Sequence, residues 1–126
     1  MSQPPFTVLV VDDEPEVATL LTDILELAGY AVQTAGNGAE ALEAIARHTP
    51  DAIISDVMMP VLDGYGFYRE LEAHRPELCR RIAFVAARAD AVEQFRRLGV
   101  PVLAKPFRVP DIQEVMRRLL GQERES

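Results

Sequence analysis

The amino-acid sequence predicts a doubly wound α/β fold, in which a parallel sheet is covered by helices on both faces. Short β-branched runs alternate five times with segments of helical period along the 126 residues. Charged residues follow the first, third and fifth of these runs. Right-handed crossovers bring the carboxyl ends of parallel strands to one edge of the sheet, where sites form in such folds. We therefore expect one functional site at that edge.

The first predicted strand runs from Phe6 to Val11, and the clearest helix of the chain follows it. From Val17 to Ala28, apolar residues recur at i, i+3, i+4, i+7, i+8 and i+11, the pattern of a helix with one apolar face. Pro15 suits the first turn of this helix, and the glycine after Ala28 suits its end. Together these residues predict the first strand–helix unit.

The rest of the chain repeats this alternation in shorter elements. Glycine, proline, asparagine and aspartate interrupt the apolar runs and so mark the turns between them. The predicted strands are 31–34, 52–55, 82–85 and 102–104. The predicted helices are Asn37-Gly38 through Ala46, 66–74, 90–98 and a last helix that buries Ile112, Val115, Met116, Leu119 and Leu120.

The composition indicates one globular domain. The chain is 48% hydrophobic and 26% charged, which is enough for an independent core, and no apolar tract is long enough to span a membrane. We expect one domain over 1–126, with its core over about 6–120 and a tail or linker stub at 121–126. The N-terminus carries no secretory signal, and a single cysteine, Cys79, excludes an internal disulfide. Both observations favour a cytoplasmic protein.

Charge narrows the possible functions. A formal net charge of −7 argues against direct binding of nucleic acid, which needs clustered lysine and arginine. Only Lys105 among the 13 basic residues is a lysine, and its ammonium is a compact point charge where arginine would offer a planar fork. Lys105 follows a short apolar run, and so do Asp12, Asp13 and Asp56. We expect these four side chains to converge at one end of the sheet.

The turn after the first strand predicts a metal site. It reads Val11-Asp12-Asp13-Glu14-Pro15, whereas nucleotide-binding and flavin-binding proteins of this architecture place glycines or hydroxyls there. Three carboxylates would repel a phosphate unless a cation lay between them. Oxygen ligands without nearby histidine or cysteine favour Mg²⁺. The sequence contains no Walker loop and no Gly-x-Ser-x-Gly or His-Glu-x-x-His pattern.

Each of these residues also has a structural explanation when it is taken alone. Asp12 or Asp13 would serve as a helix N-cap, and Asp63-Gly64 is an ordinary turn pair. A loop lysine is commonly a solvated residue. The coincidence of four charges at the ends of predicted neighbouring strands favours a site over these separate explanations.

Three motifs together resemble the receiver domain of two-component response regulators, and the resemblance covers essentially the whole chain. They are Asp12-Asp13-Glu14-Pro15, Asp56-Val-Met-Met-Pro60-Val-Leu-Asp63-Gly64 and Lys105-Pro106-Phe107. The resemblance implies a flavodoxin-like (βα)5 three-layer sandwich with strand order 2-1-3-4-5. It also implies a bacterial phosphoprotein that acts in a two-component phosphorelay.

The resemblance implies a role for each charged residue. Asp56 would accept a phosphoryl group from the phosphohistidine of a sensor histidine kinase or phosphotransfer protein. Asp13 and Asp56 would bind Mg²⁺ directly, with the backbone carbonyl of Met58 as a third ligand and Asp12 acting largely through water. Lys105 would pair with Asp56 and then with a phosphoryl oxygen. A divalent metal and an ammonium supply the charge neutralisation that phosphoryl transfer to a carboxylate requires.

Two positions depart from the pattern of the family. The usual serine or threonine at the end of strand four is matched by Ala86, and the usual aromatic residue of strand five by Val102. A hydrogen bond to a charged group contributes about 1.5–3 kcal/mol, so its loss weakens the phosphorylated state without abolishing the chemistry. We therefore expect a competent receiver with atypical output. The family also implies a cis peptide between Lys105 and Pro106.

Signalling by protein contact or by onward phosphorelay is the function that follows, and we expect no turnover enzyme. The chain is either a stand-alone regulator or a piece of a hybrid kinase or longer regulator. A homodimer through the fourth helix, fifth strand and fifth helix is one expectation for the charged residues there, and a solvated surface is the other. These residues are Glu93, Arg96, Arg97, Asp111, Arg117 and Arg118.

Two other classes of function remain open. A pseudo-receiver, which acts as an interaction module without phosphorylation, is favoured by Ala86 but disfavoured by the intact acid pair and Lys105. A phosphatase with an aspartate nucleophile would show Asp-x-Asp after its first strand. Asp56 is instead followed by Val57-Met58, with no acid two residues on.

Overall fold

A computed structural model describes residues 5–120 of the chain. Five parallel strands form one sheet in the order β2-β1-β3-β4-β5, which confirms the predicted fold. The strands are β1 (Thr7–Val11), β2 (Ala31–Ala35), β3 (Ala52–Asp56), β4 (Ile82–Ala86) and β5 (Val102–Ala104). The helices are α1 (Pro15–Leu27), α2 (Gly38–Arg47), α3 (Gly64–His74), α4 (Ala89–Arg97) and α5 (Val109–Leu120), with a 3₁₀ helix over Pro76–Arg80.

Alternating strand residues supply the two hydrophobic layers on either side of the sheet. Val8 and Val10 of β1 face the layer of α1 and α5, and Leu9 and Val11 face the layer of α2, α3 and α4. The strands β1, β3 and β4 are almost wholly buried, because helices cover both faces of the sheet. This arrangement leaves the ends of the strands as the places where polar groups meet solvent.

Element boundaries differ from the sequence-based predictions by one or two residues in most places. The helix α3 begins at Gly64 rather than residue 66, because the Asp63 side chain caps it by accepting a hydrogen bond from the Gly66 N–H. The 3₁₀ helix that contains Cys79 lies between the predicted helix 66–74 and the predicted strand 82–85, where the sequence indicated neither a helix nor a strand. The strand β3 extends through Asp56, so this aspartate is the last residue of the strand rather than the first residue after it.

Gly64 fixes the path of the chain after β3. A Cβ atom at this position would lie 2.8 Å from Val57 Cα and 2.9 Å from the Asp56 carbonyl oxygen, so only glycine fits without a backbone shift. The Gly64 N–H also donates a hydrogen bond of 2.7 Å to the Val57 carbonyl oxygen. The start of α3 is therefore held directly against the peptide that follows Asp56.

Two sequence-based predictions concern the end of the chain and its relation to membranes. The proposed tail or linker stub at 121–126 lies outside the described residues. Between residues 5 and 120, none of the helices combines the length and the apolar character that a membrane crossing requires.

Candidate functional site

The carboxyl edge of the sheet gathers the charged residues that the sequence singled out. Asp12 directly follows β1, Asp56 ends β3, and Lys105 directly follows β5. Carboxylate oxygens of Asp12, Asp13, Glu14 and Asp56 all lie within 4.8 Å of one another. The fold therefore brings together, in one cluster, residues that are 93 positions apart at most, from Asp12 to Lys105.

Lys105 lies among three of these carboxylates. Its Nζ is 3.4 Å from Asp56 Oδ1, 3.8 Å from Glu14 Oε1 and 3.9 Å from Asp12 Oδ2. The lysine side chain is 19% exposed, so its ammonium lies in a partly desolvated position where its charge acts strongly on the carboxylates. The shortest of the three distances marks Asp56 as its principal partner.

Asp12 carries a buried oxygen that the described residues leave unsatisfied. Its Oδ1 accepts a hydrogen bond from the Glu14 N–H at 2.9 Å, whereas Oδ2 has no hydrogen-bond partner within residues 5–120. Burial raises the pKa of Asp12 from 3.8 to about 6, against the lowering effect of the Glu14 N–H and of Lys105. A buried carboxylate oxygen without a donor is suited to binding a cation or a bound water.

Asp56 is the second buried carboxylate of the cluster. Its Oδ1 accepts a 2.9 Å hydrogen bond from the Val57 N–H, and its carbonyl oxygen accepts one from the Ser55 hydroxyl. Burial raises the pKa of Asp56, while Lys105 and the Val57 N–H lower it. The Val57 N–H and the Lys105 ammonium both lie against Oδ1 and so restrict the orientation of the carboxylate.

Asp13 and Glu14 complete the cluster from its solvent side, since both residues are exposed. Neither Asp12 nor Asp13 caps the first helix: the N-cap position of α1 is Glu14, and its side chain makes no capping hydrogen bond. The set contains only oxygen donors, includes the unsatisfied Asp12 Oδ2, and carries four carboxylates against one ammonium. These residues fit a hard divalent cation such as Mg²⁺.

The sequence also singled out Met58, the Lys105–Pro106 peptide and Ala86. Met58 lies two residues after Asp56 with a 57% exposed side chain, and ligation by its carbonyl oxygen stays a prediction. The Lys105–Pro106 peptide is cis. Ala86 ends β4 fully buried, and its carbonyl oxygen accepts a 2.9 Å hydrogen bond from the Lys105 N–H. Ala86 thus touches the lysine through the backbone alone.

Val102 lies apart from the charged cluster. It pairs with Phe84 across β4 and β5 and packs against the core layer of α2, α3 and α4. Phe84 is itself stacked on Phe95 of α4, with ring centroids 4.1 Å apart. The stacked aromatic rings of this region therefore belong to β4 and α4 rather than to β5.

The sequence places Glu14 among the three carboxylates of the turn after β1 but indicates no contact between Glu14 and Lys105. Its carboxylate lies as close to Lys105 as that of Asp12 does, at 3.8 Å and 3.9 Å respectively. The available signal was its position directly after the acid pair, at the start of the first helix. An exposed glutamate at a helix start is so common that this signal alone did not distinguish it.

Comparison with known proteins agrees with this geometry. The sequence matches the response regulator receiver domain family over residues 8–117. It is 32% identical over 97% of its length to response regulator Rre1 of Synechocystis sp., of which it covers 54%. It is 39% identical over 92% of its length to response regulator MprA of Mycobacterium sp. strain KMS, of which it covers 51%. The chain thus spans about half the length of these curated relatives.

Solved structures of similar shape are receiver domains and response regulators. The receiver domain of a signal transduction histidine kinase from Syntrophus aciditrophicus superposes with a TM-score of 0.83 at 32% identity, covering 96% of this chain and 94% of that one. Response regulator TrrA of Thermotoga maritima, solved in complex with Mg²⁺ and BeF, gives a TM-score of 0.82 at 28% identity, covering 91% and 99% of the respective chains. The fold, the clustered acids and the family match lead to one conclusion: this chain belongs to the response regulator receiver domain family.

Proposed function

We propose that the protein accepts a phosphoryl group on Asp56 from the phosphohistidine of a sensor histidine kinase or phosphotransfer protein. The observation that carries this proposal is the buried Asp56 carboxylate, 3.4 Å from the Lys105 ammonium and surrounded by oxygen ligands. Membership of the receiver family supports the same reaction. The product, an aspartyl phosphate, would signal by protein contact or pass its phosphoryl group onward.

The transfer needs an orientated nucleophile and a compensating charge. Because Oδ1 of Asp56 is held by the Val57 N–H, we expect Oδ2 to attack the phosphorus. The bond between phosphorus and the donor imidazole nitrogen breaks, its electron pair stays on the imidazole, and a phosphorus–oxygen bond forms to Asp56. Lys105 then neutralises negative charge on the transferred group.

A divalent cation fits the same cluster. We propose that Asp13, Asp56 and the Met58 carbonyl oxygen hold Mg²⁺, with Asp12 acting largely through water. Bound there, the ion would neutralise charge on Asp56 and on the incoming phosphoryl group. Asp12 Oδ2 supports this assignment: it is buried and accepts no hydrogen bond within residues 5–120, and the Lys105 ammonium at 3.9 Å is beyond hydrogen-bond distance.

A protein partner has an apolar surface available beside the site. A depression of about 380 Å³ is lined by Val17 and Leu20 of α1 and by the segment Lys105, Pro106 and Phe107. Leu20 is 50% exposed, and such a surface next to a reactive carboxylate suits the helix of a phosphohistidine donor. We also propose that the protein is cytoplasmic. We propose further that it is not a turnover enzyme, because the phosphoryl group is transferred to the protein itself.

One observation, the alanine at residue 86, favours a second candidate function. Ala86 places a methyl group where most receivers have a hydroxyl, so one hydrogen bond to the phosphoryl group is lost. If that loss prevented phosphorylation, the domain would act as a pseudo-receiver, an interaction module independent of phosphate. The intact acids and Lys105 favour the competent receiver.

Phosphoryl acceptance is directly measurable. The protein is incubated with Mg²⁺ and acetyl phosphate, and its intact mass is compared with that of Asp56→Asn. We expect the mass of one added phosphoryl group in the wild type and none in the variant, because acetate leaves as the phosphorus–oxygen bond to Asp56 forms. Asp23→Asn, an exposed aspartate on α1, is the matched control and should be modified like the wild type. An unmodified wild type would leave the pseudo-receiver as the function.

A further inference from the structure

Four aromatic side chains form a packed cluster between β4, α3 and α4. Phe84 of β4 and Phe95 of α4 are stacked with ring centroids 4.1 Å apart. Tyr65 of α3 also stacks on Phe95, with ring centroids 5.0 Å apart. Tyr68 meets Phe84 and Phe95 edge to face at 6.1 and 6.4 Å. We call these four residues the aromatic cluster. Its two phenylalanines are fully buried, so a shift of one ring displaces its neighbours.

The aromatic cluster touches the peptide of the acceptor aspartate through Gly64. The position of a Gly64 Cβ would be 2.9 Å from the Asp56 carbonyl oxygen on one side and 3.1 Å from Phe84 Cε1 on the other. Tyr65 is the next residue of the chain. Gly64, in the first turn of α3, therefore lies between the Asp56 carbonyl oxygen and the Phe84 ring, with too little space for a Cβ atom there.

Tyr65 also reaches towards the start of α4. Burial raises its pKa, and so do the nearby carboxylates of Asp90, in the first turn of α4, and of Asp63, the N-cap of α3. The Tyr65 hydroxyl is thus influenced by acids at the N-terminal ends of both helices. Its ring links α3 to Phe95, which is the fully buried aromatic residue of α4.

We propose that the aromatic cluster carries the effect of phosphorylation from Asp56 to α4, in place of a hydroxyl at residue 86 and an aromatic ring at residue 102. The inference rests on the proposed phosphorylation of Asp56. A phosphoryl group there repositions the 57–64 loop, and Gly64 passes the displacement to Phe84 and Tyr65. Phe95 then moves α4, because stacked buried rings shift together rather than deform.

Nuclear magnetic resonance of the full chain tests this route. Backbone amide shifts are recorded with Mg²⁺ before and after addition of excess acetyl phosphate, and intact mass is measured on the same samples. We expect phosphorylation to shift the amides of α4 in the wild type. In Phe95→Leu and Tyr65→Leu the phosphoryl uptake should stay as in the wild type, while most of the α4 shift is lost.

Two controls make the result decisive. Met116→Leu changes an equally buried residue on α5, in the opposite core layer, and should keep the wild-type α4 shift. Should Phe95→Leu not fold, Tyr65→Leu decides, because Tyr65 is only partly buried and lies outside α4. Phosphoryl uptake with an unmoved α4 in the wild type, or an undiminished α4 shift in both variants, would overturn this inference alone. Absence of uptake would overturn it together with the proposed function.

Discussion

Lys105 combines two properties: it is the one lysine of the chain, and its ammonium lies among three carboxylates. Under the proposed function it is also the one side chain expected to contact the phosphoryl oxygens, because residue 86 is an alanine. An ammonium is a point charge, whereas a guanidinium is a larger planar group with a fixed fork of donors. The site should therefore depend strongly on this residue.

We predict that Lys105→Arg slows phosphorylation by acetyl phosphate about tenfold or more, because a charge-assisted contact contributes about 1.5–3 kcal/mol. The planar fork would not occupy the position of the ammonium without moving the surrounding carboxylates. Rates are measured by intact mass over time at fixed Mg²⁺. Arg108→Lys, an exposed exchange three residues away, is the matched control and should leave the rate unchanged. An equal rate in Lys105→Arg would contradict the role given to the ammonium.

Asp12 makes a testable contribution to the pH dependence of stability. Its pKa is about 6 in the folded protein and 3.8 in the unfolded reference, so the folded state binds the proton more tightly. Protonated Asp12 therefore favours folding below pH 4, and this contribution is lost as the pH rises through 6. The loss amounts to about 3 kcal/mol at neutral pH.

We predict that Asp12→Asn is more stable than the wild type at pH 7 without metal and that this advantage shrinks towards pH 4. The amide removes a buried charge, whereas at pH 4 the wild-type carboxyl is already neutral. Urea unfolding at both pH values with a chelator measures the free energies of unfolding. A difference that does not change with pH would show that burial leaves Asp12 with an ordinary pKa.

Among the secondary-structure elements, the connection between β3 and α3 positions Asp56, the proposed phosphoryl acceptor. Gly64 packs against Val57 Cα and the Asp56 carbonyl oxygen, and the Asp63 carboxylate caps the helix that starts there. The chain between them includes Val61, whose φ of 68° is unusual for a β-branched residue. Tight packing at Gly64 holds this loop close to the site.

We predict that Gly64→Ala lowers the free energy of unfolding by about 1–3 kcal/mol, as expected when a methyl group is forced into a packed region. Its Cβ would meet backbone atoms at 2.8 and 2.9 Å, which cannot move without shifting the acceptor peptide. Gly66→Ala is the matched control, because the atoms its Cβ would meet belong mainly to the flexible Leu62 side chain. Urea unfolding compares the two variants. Equal losses of stability would mean that the contact with the acceptor peptide is not the cause.

The predicted and observed elements differ at the ends of helices and strands and in one short 3₁₀ helix. The periodic apolar residues of α1 and α5 identified both helices, because one buried face produces a repeating pattern in the sequence. The start of α3 depended on a side-chain cap by Asp63, and the 3₁₀ helix over Pro76–Arg80 has too few residues to show a period. Local hydrogen bonds set such boundaries, and apolar periodicity does not record them.

For the whole molecule, we expect a divalent cation bound at the site to raise the free energy of unfolding. Four carboxylates and one ammonium leave an excess of negative charge at the carboxyl edge of the sheet. A cation bound to the folded state alone stabilises it by mass action. Asp13 is suited to test this coupling, because it is exposed and its replacement should disturb the metal-free protein little.

We predict that Mg²⁺ raises the free energy of unfolding by about 2.7 kcal/mol at a hundredfold excess over its Kd, and that Asp13→Asn loses most of this gain. The two proteins should have similar stability in the presence of a chelator. Urea midpoints with and without Mg²⁺ provide the comparison, with Asp23→Asn as an exposed control on α1. The same gain in Asp13→Asn as in the wild type would exclude Asp13 as a ligand.

Apolar patterns in the sequence predicted the fold class and the clustering of Asp12, Asp13, Asp56 and Lys105, whereas the strand order was implied by the resemblance to receiver domains. The patterns did so because buried faces repeat with the period of their element, and because strand ends in a doubly wound sheet meet at one edge. The tertiary structure alone decided the burial of Asp12, the approach of Glu14 to Lys105 and the stacking of Phe84 on Phe95. These features depend on how separate strands and helices pack against one another, and no local pattern of residues specifies that packing.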